Sequence, residues 1–139
     1  MHLDDAKEFR TERVVRFGDC DPAGIVFYPR YFEMANGVIE EWWTQLGMSW
    51  TEMIGQRGIG TPVSHVETVF LRPSRYGDRL EFRLSLEALG RSSLRFRLRV
   101  LGAAGEERLR IRQRMVCVSL HSHGPIAWPE EVKSLLASW

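Results

Sequence analysis

Apolar and polar residues trade places at every second position along most of this chain, and they return at helical spacing in only one long stretch. From Glu8 to Phe17 the alternation predicts a strand, with Val15 and Phe17 on one parity and Val14 on the other. From Tyr31 to Leu46 the pattern changes to that of a helix with one strongly apolar face. Phe32, Ala35, Ile39, Trp42, Trp43 and Leu46 fall on that face, and Glu33, Asn36, Glu40 and Gln45 mostly elsewhere. A shorter helical piece is expected over Trp50 to Gln56, with Gly55 and Gly58 at its far side. Four alternating stretches follow, Thr61 to Leu71, Asp78 to Leu89, Leu94 to Leu101 and Leu109 to Leu120, the last two joined by the turn Gly102-Ala103-Ala104-Gly105. In Leu94-Arg95-Phe96-Arg97-Leu98-Arg99-Val100 strict alternation puts the arginines on one sheet face and the hydrophobes on the other. Pro129-Glu130-Glu131 opens a short terminal helix.

The order of strand, long helix and then strands predicts an α+β domain in which a single antiparallel sheet wraps around one hydrophobic helix. No internal repeat, low-complexity tract or Pro/Gly/Ser-rich linker divides the chain, so residues 1–139 are expected to pack as a single domain. With 139 residues, 44% of them hydrophobic, a sizeable core is affordable. The formal net charge of +1 argues against a dedicated nucleic-acid binder. Cys20 and Cys117 are too few for a disulfide framework, and no N-terminal apolar stretch reads as a signal peptide or a membrane span. A reducing cytoplasm and no membrane partner are the corresponding expectations.

Between the first strand and the long helix lies the segment that carries the candidate chemistry, Phe17-Gly18-Asp19-Cys20-Asp21-Pro22-Ala23-Gly24-Ile25-Val26-Phe27-Tyr28-Pro29. It sets two carboxylates on a glycine-bounded loop just before a helix start, where unpaired backbone N–H groups favour negative charge on a ligand oxygen. A carboxylate beside such donors suggests a nucleophile or base facing an oxyanion hole. Taken residue by residue the loop also reads as a plain turn, since Asp-Pro and Ala-Gly are common turn pairs and an aspartate before a helix is often a cap. Cys20 sits near the helix start too, but the flanking Asp19 and Asp21 oppose a thiolate there, which leaves it a small packing residue. Adjacent Glu40 and Glu41 cannot share a helix face, so at least one is solvated. His121-Ser122-His123 follows the last strand and reads as a solvated loop, and no His/Cys cluster has metal-ligand spacing.

The run FGDCDPAGIVFYPRY from Phe17 to Tyr31, with Gly60-Thr61-Pro62 and with Arg72-Pro73 followed by Tyr76, Asp78 and Leu80, resembles the hot-dog fold acyl-CoA thioesterases of the 4-hydroxybenzoyl-CoA thioesterase type. The resemblance covers nearly the whole chain. It implies a hot-dog fold, an antiparallel sheet around one long central helix, and hydrolysis of an aryl- or short acyl-CoA to free acid and CoA. It makes Asp21 the catalytic carboxylate, as nucleophile or general base, with Asp19 as its support. The Tyr28 backbone N–H becomes the oxyanion donor, and Gly24 permits close approach to the ligand. Thiolate leaves readily, so neither a metal nor another cofactor is required.

The resemblance also assigns the acyl pocket to Tyr28, Trp50 and Thr61. Asn36 stands where the family carries an aspartate that recognises a ring hydroxyl, and an amide accepts more weakly and adds donors. Phe27 replaces a tryptophan. Arg91 and Ser93 match a basic turn that holds the CoA phosphates, whereas Gly90, Ser92 and Gly124 depart from it. A homodimer or homotetramer is implied, with two sheets joined edge to edge and sites shared between subunits. The rival in another class is a noncatalytic acyl-CoA or acyl-carrier-binding module on the same fold. A hydratase would want an Asp/His pair, and no histidine lies in the motif loop.

Overall fold

In the computed structural model residues 7–139 are described. Five strands form one antiparallel sheet in the order β1-β4-β5-β6-β3, with β1 at Phe9–Val14, β3 at Val63–Phe70, β4 at Arg79–Leu89, β5 at Ser93–Leu101 and β6 at Glu107–Val116. The alternation seen in the sequence decides the faces. Leu80, Phe82, Leu84, Leu94, Phe96, Leu98, Leu109 and Ile111 are all buried, while the intervening arginines point to the opposite side. Helix α1, Pro29–Leu46, lies against the apolar face through Ala35, Val38, Ile39, Trp42 and Trp43 in the same hydrophobic cluster. It starts two residues earlier than the apolar spacing predicts, because Pro29 occupies a first-turn position where its missing N–H costs nothing. It ends at Gly47, which takes the left-handed conformation at φ 115° and returns its N–H to Trp43 O and Thr44 O.

Helix α2, Glu130–Ser138, closes the open end of the core. Its Val132 and Leu136 are buried, the Trp139 ring meets Trp42 edge-on at 5.7 Å, and Trp128 just ahead of it lies 6.0 Å from Trp43. The short helical piece expected after α1 is a wide turn at Thr51–Gln56, where the Arg57 N–H reaches back five residues to Glu52 O.

Two expectations are corrected. Strand β1 stops at Val14, and the tight turn Phe17–Asp19 throws Phe17 outward, so it is 82% exposed while Val15 is buried. The last alternating stretch is broken at Cys117. Its N–H bonds to Ser92 O at 2.8 Å, and the chain continues as β7, Val118–Ser119, paired with β2, Ile59–Gly60, in a separate ribbon. The strand ahead of the helix joins the large sheet, in keeping with the single sheet expected, β1 pairing alongside β4 from Phe9↔Leu84 to Val14↔Arg79.

At the opposite edge β3 pairs, among the described residues, only with β6, and it is exposed on both faces, leaving Val63, Val66, Val69 and Phe70 in contact with solvent. A long apolar edge of this kind is a template for another strand. Among the described residues, no helix is long and apolar enough to cross a membrane.

Candidate active site

The motif loop is built by its own short-range bonds. Asp19 Oδ2 accepts the Arg16 N–H at 2.8 Å and closes the tight turn. Asp21 Oδ1 accepts the Ala23 N–H at 2.9 Å, an Asx turn, and Asp21 O accepts the Gly24 N–H at 2.9 Å. Gly24 then takes φ 81°, a conformation glycine adopts without steric cost, and the chain doubles back so that the Asp21 N–H reaches Ile25 O. Phe27 N–H donates to Asp19 O at 2.8 Å, which brings the start of α1 against the two acids. One oxygen of the Asp21 carboxylate is engaged by Ala23; among the described residues the other has no partner, and nor has the Tyr28 N–H. A half-free carboxylate and an unpaired amide at a helix start thus belong to one short loop, a combination of the kind that can place a base or nucleophile near a donor for a developing oxyanion.

Cys20 donates weakly from Sγ to Arg16 O at 3.6 Å and is half-buried. Cys117 is buried, and that burial pushes its thiol up to about 11. Glu40 and Glu41 are both exposed, with Glu41 paired to Arg13, so neither is placed for chemistry inside the fold. His121 and His123 lie on an exposed loop, and no group of three or more metal-ligating side chains occurs among the described residues.

Asn36, Trp50 and Thr61, far apart in sequence, are brought together. They line a cavity of about 260 Å³ with Met53, Ile59, Pro62, Val63 and Met115. Its apolar walls and few polar groups suit an aromatic or short aliphatic acyl chain. A larger hollow of about 530 Å³ lies on the far side of the sheet among Arg97, Arg99, Arg110 and Arg112 with Glu67 and Glu107. It is a charged outer face, with Glu107 bridging Arg99 and Arg110, and has no aromatic wall.

The loop and the cavity sit toward opposite ends of β3. Phe70 at its C-terminal end meets the Tyr28 ring edge-on at 6.2 Å, whereas Val63 at its N-terminal end lines the cavity. Arg91 lies in the β4–β5 turn and Ser93 opens β5, at the opposite end of the eleven-residue β4 from Asp78 and the motif loop. That turn is tied to the C-terminal segment by Trp128, whose backbone N–H donates to Arg91 O at 3.0 Å and whose indole N–H donates to Ser93 O at 3.2 Å.

Behind the loop is a polar cluster that no periodicity marks. Arg108 on β6 donates from Nη1 to Ser74 Oγ and Asp78 Oδ2, both at 2.9 Å, and from Nη2 to Glu106 Oε1 at 2.6 Å. The Arg75 N–H and then the Arg108 guanidinium hold the Asp78 carboxyl below its ordinary value. Burial raises the Tyr31 phenol, against the opposing pull of the neighbouring Ser74 and of the Arg108 charge.

Known proteins match this architecture. A family model described as the thioesterase-like superfamily matches residues 15–136. A 1,4-dihydroxy-2-naphthoyl-CoA hydrolase from Synechococcus elongatus is 30% identical over 132 residues, spanning 94% of this chain and 83% of that protein. A 4-hydroxybenzoyl-CoA thioesterase from Pseudomonas sp. strain CBS-3 is 30% identical over 90 residues, 63% of this chain and 64% of its own length. The solved structure of a 4-hydroxybenzoyl CoA thioesterase from the same strain superposes with a TM-score of 0.85 at 26% identity, covering 94% of this chain and 99% of that one. With an antiparallel sheet wrapped on one helix and a carboxylate loop at that helix's start, the chain belongs to the thioesterase-like superfamily and is a hot-dog thioester hydrolase.

Proposed function

We propose that the protein hydrolyses an aryl- or short acyl-CoA ester, with Asp21 as the reacting carboxylate, the Tyr28 N–H as oxyanion donor and Asp19 as the acid that shapes the turn. The observation that carries this reading is the unpaired Tyr28 N–H at the start of α1, held beside Asp21 by the Phe27-to-Asp19 bond. Either route balances. In one, the Asp21 carboxylate adds to the thioester carbonyl and expels CoA thiolate, and water then opens the mixed anhydride to release the acid and restore the carboxylate. In the other, Asp21 takes a proton from water as the water adds to the same carbon, and collapse of the adduct breaks the C–S bond, releasing the acid and a CoA thiolate that takes the proton back from Asp21. The names of the relatives support a CoA ester of a hydroxylated aromatic acid, and the cavity's size and lining suit such an acyl group.

The site is completed by a second copy. Antiparallel pairing of two β3 edges about a two-fold axis lays the Val63 end of one chain beside the Phe70 end of the other. The cavity of Asn36, Trp50 and Thr61 in one protomer then faces Asp21, Gly24 and Tyr28 of its partner, with Arg91 and Ser93 at the outer rim for the CoA phosphates. This reading explains why the loop and the cavity lie at opposite ends of one chain's β3.

Thiol release from a panel of aryl- and alkyl-CoA esters tests it, with Asp21→Asn and Trp50→Ala made separately and then refolded together. Mixed dimers carry both defects in one site and neither in the other. Half the dimers are mixed and one of their two sites is intact, so about a quarter of wild-type turnover should return. Mixing that restores nothing refutes the shared site. Full activity in Asp21→Asn refutes the assignment of the acid, and ester binding without any turnover in the wild type favours the noncatalytic module.

A further inference from the structure

Across the outer face of the large sheet the register sets arginine against arginine. Arg99 on β5 stands between Arg83 on β4 and Arg110 on β6, Arg97 stands opposite Arg112, and Arg95 opposite Arg114. Like charges directly opposite on neighbouring strands destabilise a sheet, and a face meant only for water avoids this by alternating signs. Acids offset part of the repulsion. Glu107 meets Arg99 at 3.6 Å and Arg110 at 2.5 Å, Glu87 meets Arg112 at 3.1 Å, and Glu81 pairs with Arg83. Glu67 stands opposite Arg112 on β3, but its Oε1 bonds His65 Nε2 at 2.9 Å. Among the described residues Arg95 and Arg97 have neither an ion pair nor a side-chain hydrogen bond, and Arg97 is half-buried on β5, the middle strand of the five.

The hollow of about 530 Å³ lies over these rows, with Arg97, Arg99, Arg110 and Arg112 around it against Glu67 and Glu107. Four cations against two carboxylates leave it positive, and its volume is that of a small-molecule site. Its lining among the described residues is charged apart from Val69, so a ligand is recognised there by its own charge rather than by an apolar body. Guanidinium groups present paired N–H donors in a planar fork, a geometry that matches the oxygens of phosphate two at a time. We propose that this hollow is a second ligand site, on the face of the sheet away from α1, which takes a small compound carrying two or more linked phosphate groups. The repulsion between facing arginines is then relieved on binding, and Arg97, which no carboxylate neutralises, is the central contact. Glu67 and Glu107 among the arginines repel a continuous phosphate backbone, whereas a short ligand avoids them, and the chain's net charge of +1 agrees with that choice over nucleic acid.

Calorimetric titration with tripolyphosphate at fixed ionic strength tests the site, with orthophosphate, sulfate and a short DNA duplex as comparisons. Saturable binding at one site per chain is expected, at least about tenfold tighter than orthophosphate or sulfate. Arg97→Gln should weaken it about tenfold, and Arg112→Gln on the next strand by a similar factor, which decides the matter if the first variant does not fold. Arg91→Ala should leave it within about twofold, because Arg91 lies in the β4–β5 turn and not in the hollow. Without ligand, Arg97→Gln should melt no lower than the wild type at low salt, since it relieves the repulsion with Arg112. Absence of saturable binding, equal affinity for sulfate, or tighter binding of the duplex overturns the proposal. So does unchanged affinity in both glutamine variants. Loss of binding in Arg91→Ala moves the phosphates to the CoA cleft and overturns it as well, and a lower melting point of unliganded Arg97→Gln makes Arg97 a structural residue rather than the central contact.

Discussion

Phe96→Ala removes the ring at the centre of β5, where it is fully buried and meets Trp42 of α1 edge-on at 4.9 Å and 82°. Deleting the ring returns on the order of 100 Å² of apolar burial, or about 2.5 kcal/mol at ~25 cal/mol per Å². The lost edge-to-face contact adds roughly 0.5–1.5 kcal/mol. Their sum of about 3–4 kcal/mol falls within the ~3–5 kcal/mol common for such truncations. For a chain of this length that lowers the thermal midpoint by about 10–15 °C. Urea unfolding at one fixed protein concentration reads it as a lower midpoint at unchanged slope; the concentration must be held because association stabilises the fold. Trp42 lies about 21 Å of helix rise from Tyr28, fourteen residues at ~1.5 Å each, so kcat measured well below the new midpoint should change little. A stability loss under about 1.5 kcal/mol would refute the packing of α1 on this strand. A tenfold fall in kcat at low temperature would refute the separation of core from chemistry.

Four further outcomes follow from the same structure. An aromatic disulfide reagent at about pH 8 should titrate one fast thiol, Cys20, and reach Cys117 only in denaturant; two equally fast thiols would contradict the burial of Cys117. Because the folded Cys117 thiol is raised to about 11 from 9.0, its contribution to stability is intact below pH 9.0 and is lost as pH climbs toward 11. Asp78 works in the opposite direction. Its folded value lies below the ordinary 3.8, so the stability it contributes is present above 3.8 and lost as pH falls through the lowered value, and Asp78→Asn should flatten the acid limb of a stability–pH curve; an unchanged limb would mean that the Arg75 and Arg108 bonds are idle. Arg91→Ala should raise KM for a CoA ester about three- to tenfold, an effect that shrinks as salt is added, with a smaller change in kcat. A KM that stays put would place the CoA phosphates elsewhere.

Much of the fold was legible because its signals are local. Strict alternation in β5 put Arg95, Arg97 and Arg99 on one face, and the apolar face of α1 announced the buried Trp42 and Trp43. The motif loop was legible both as turn chemistry and by resemblance, and Gly24 at φ 81° is the turn that Asp-Pro-Ala-Gly describes. What escaped depends on partners distant in sequence. The pairing of β1 beside β4, the outward turn of Phe17 and the break at Cys117 are each set by backbone bonds to another segment. Arg108 looked like one more arginine in an alternating strand. Only the approach of Ser74 and Asp78, more than twenty-five residues away, distinguishes it. The same reason hid the gap between the motif loop and the cavity, since spacing along a chain carries no information about which end of a strand a loop returns to.

The arrangement at the two ends of β3 has a consequence for how such an enzyme changes over generations. On the proposed reading, substitutions around Asn36, Trp50 and Thr61 reshape the chamber for the acyl group without touching the turn that holds Asp21, while changes near Gly24 strike turnover for every ester alike. New diets can therefore be explored one wall at a time while the machinery of bond cleavage is inherited intact, and a lineage can acquire or lose a substrate through drift confined to half of its molecule.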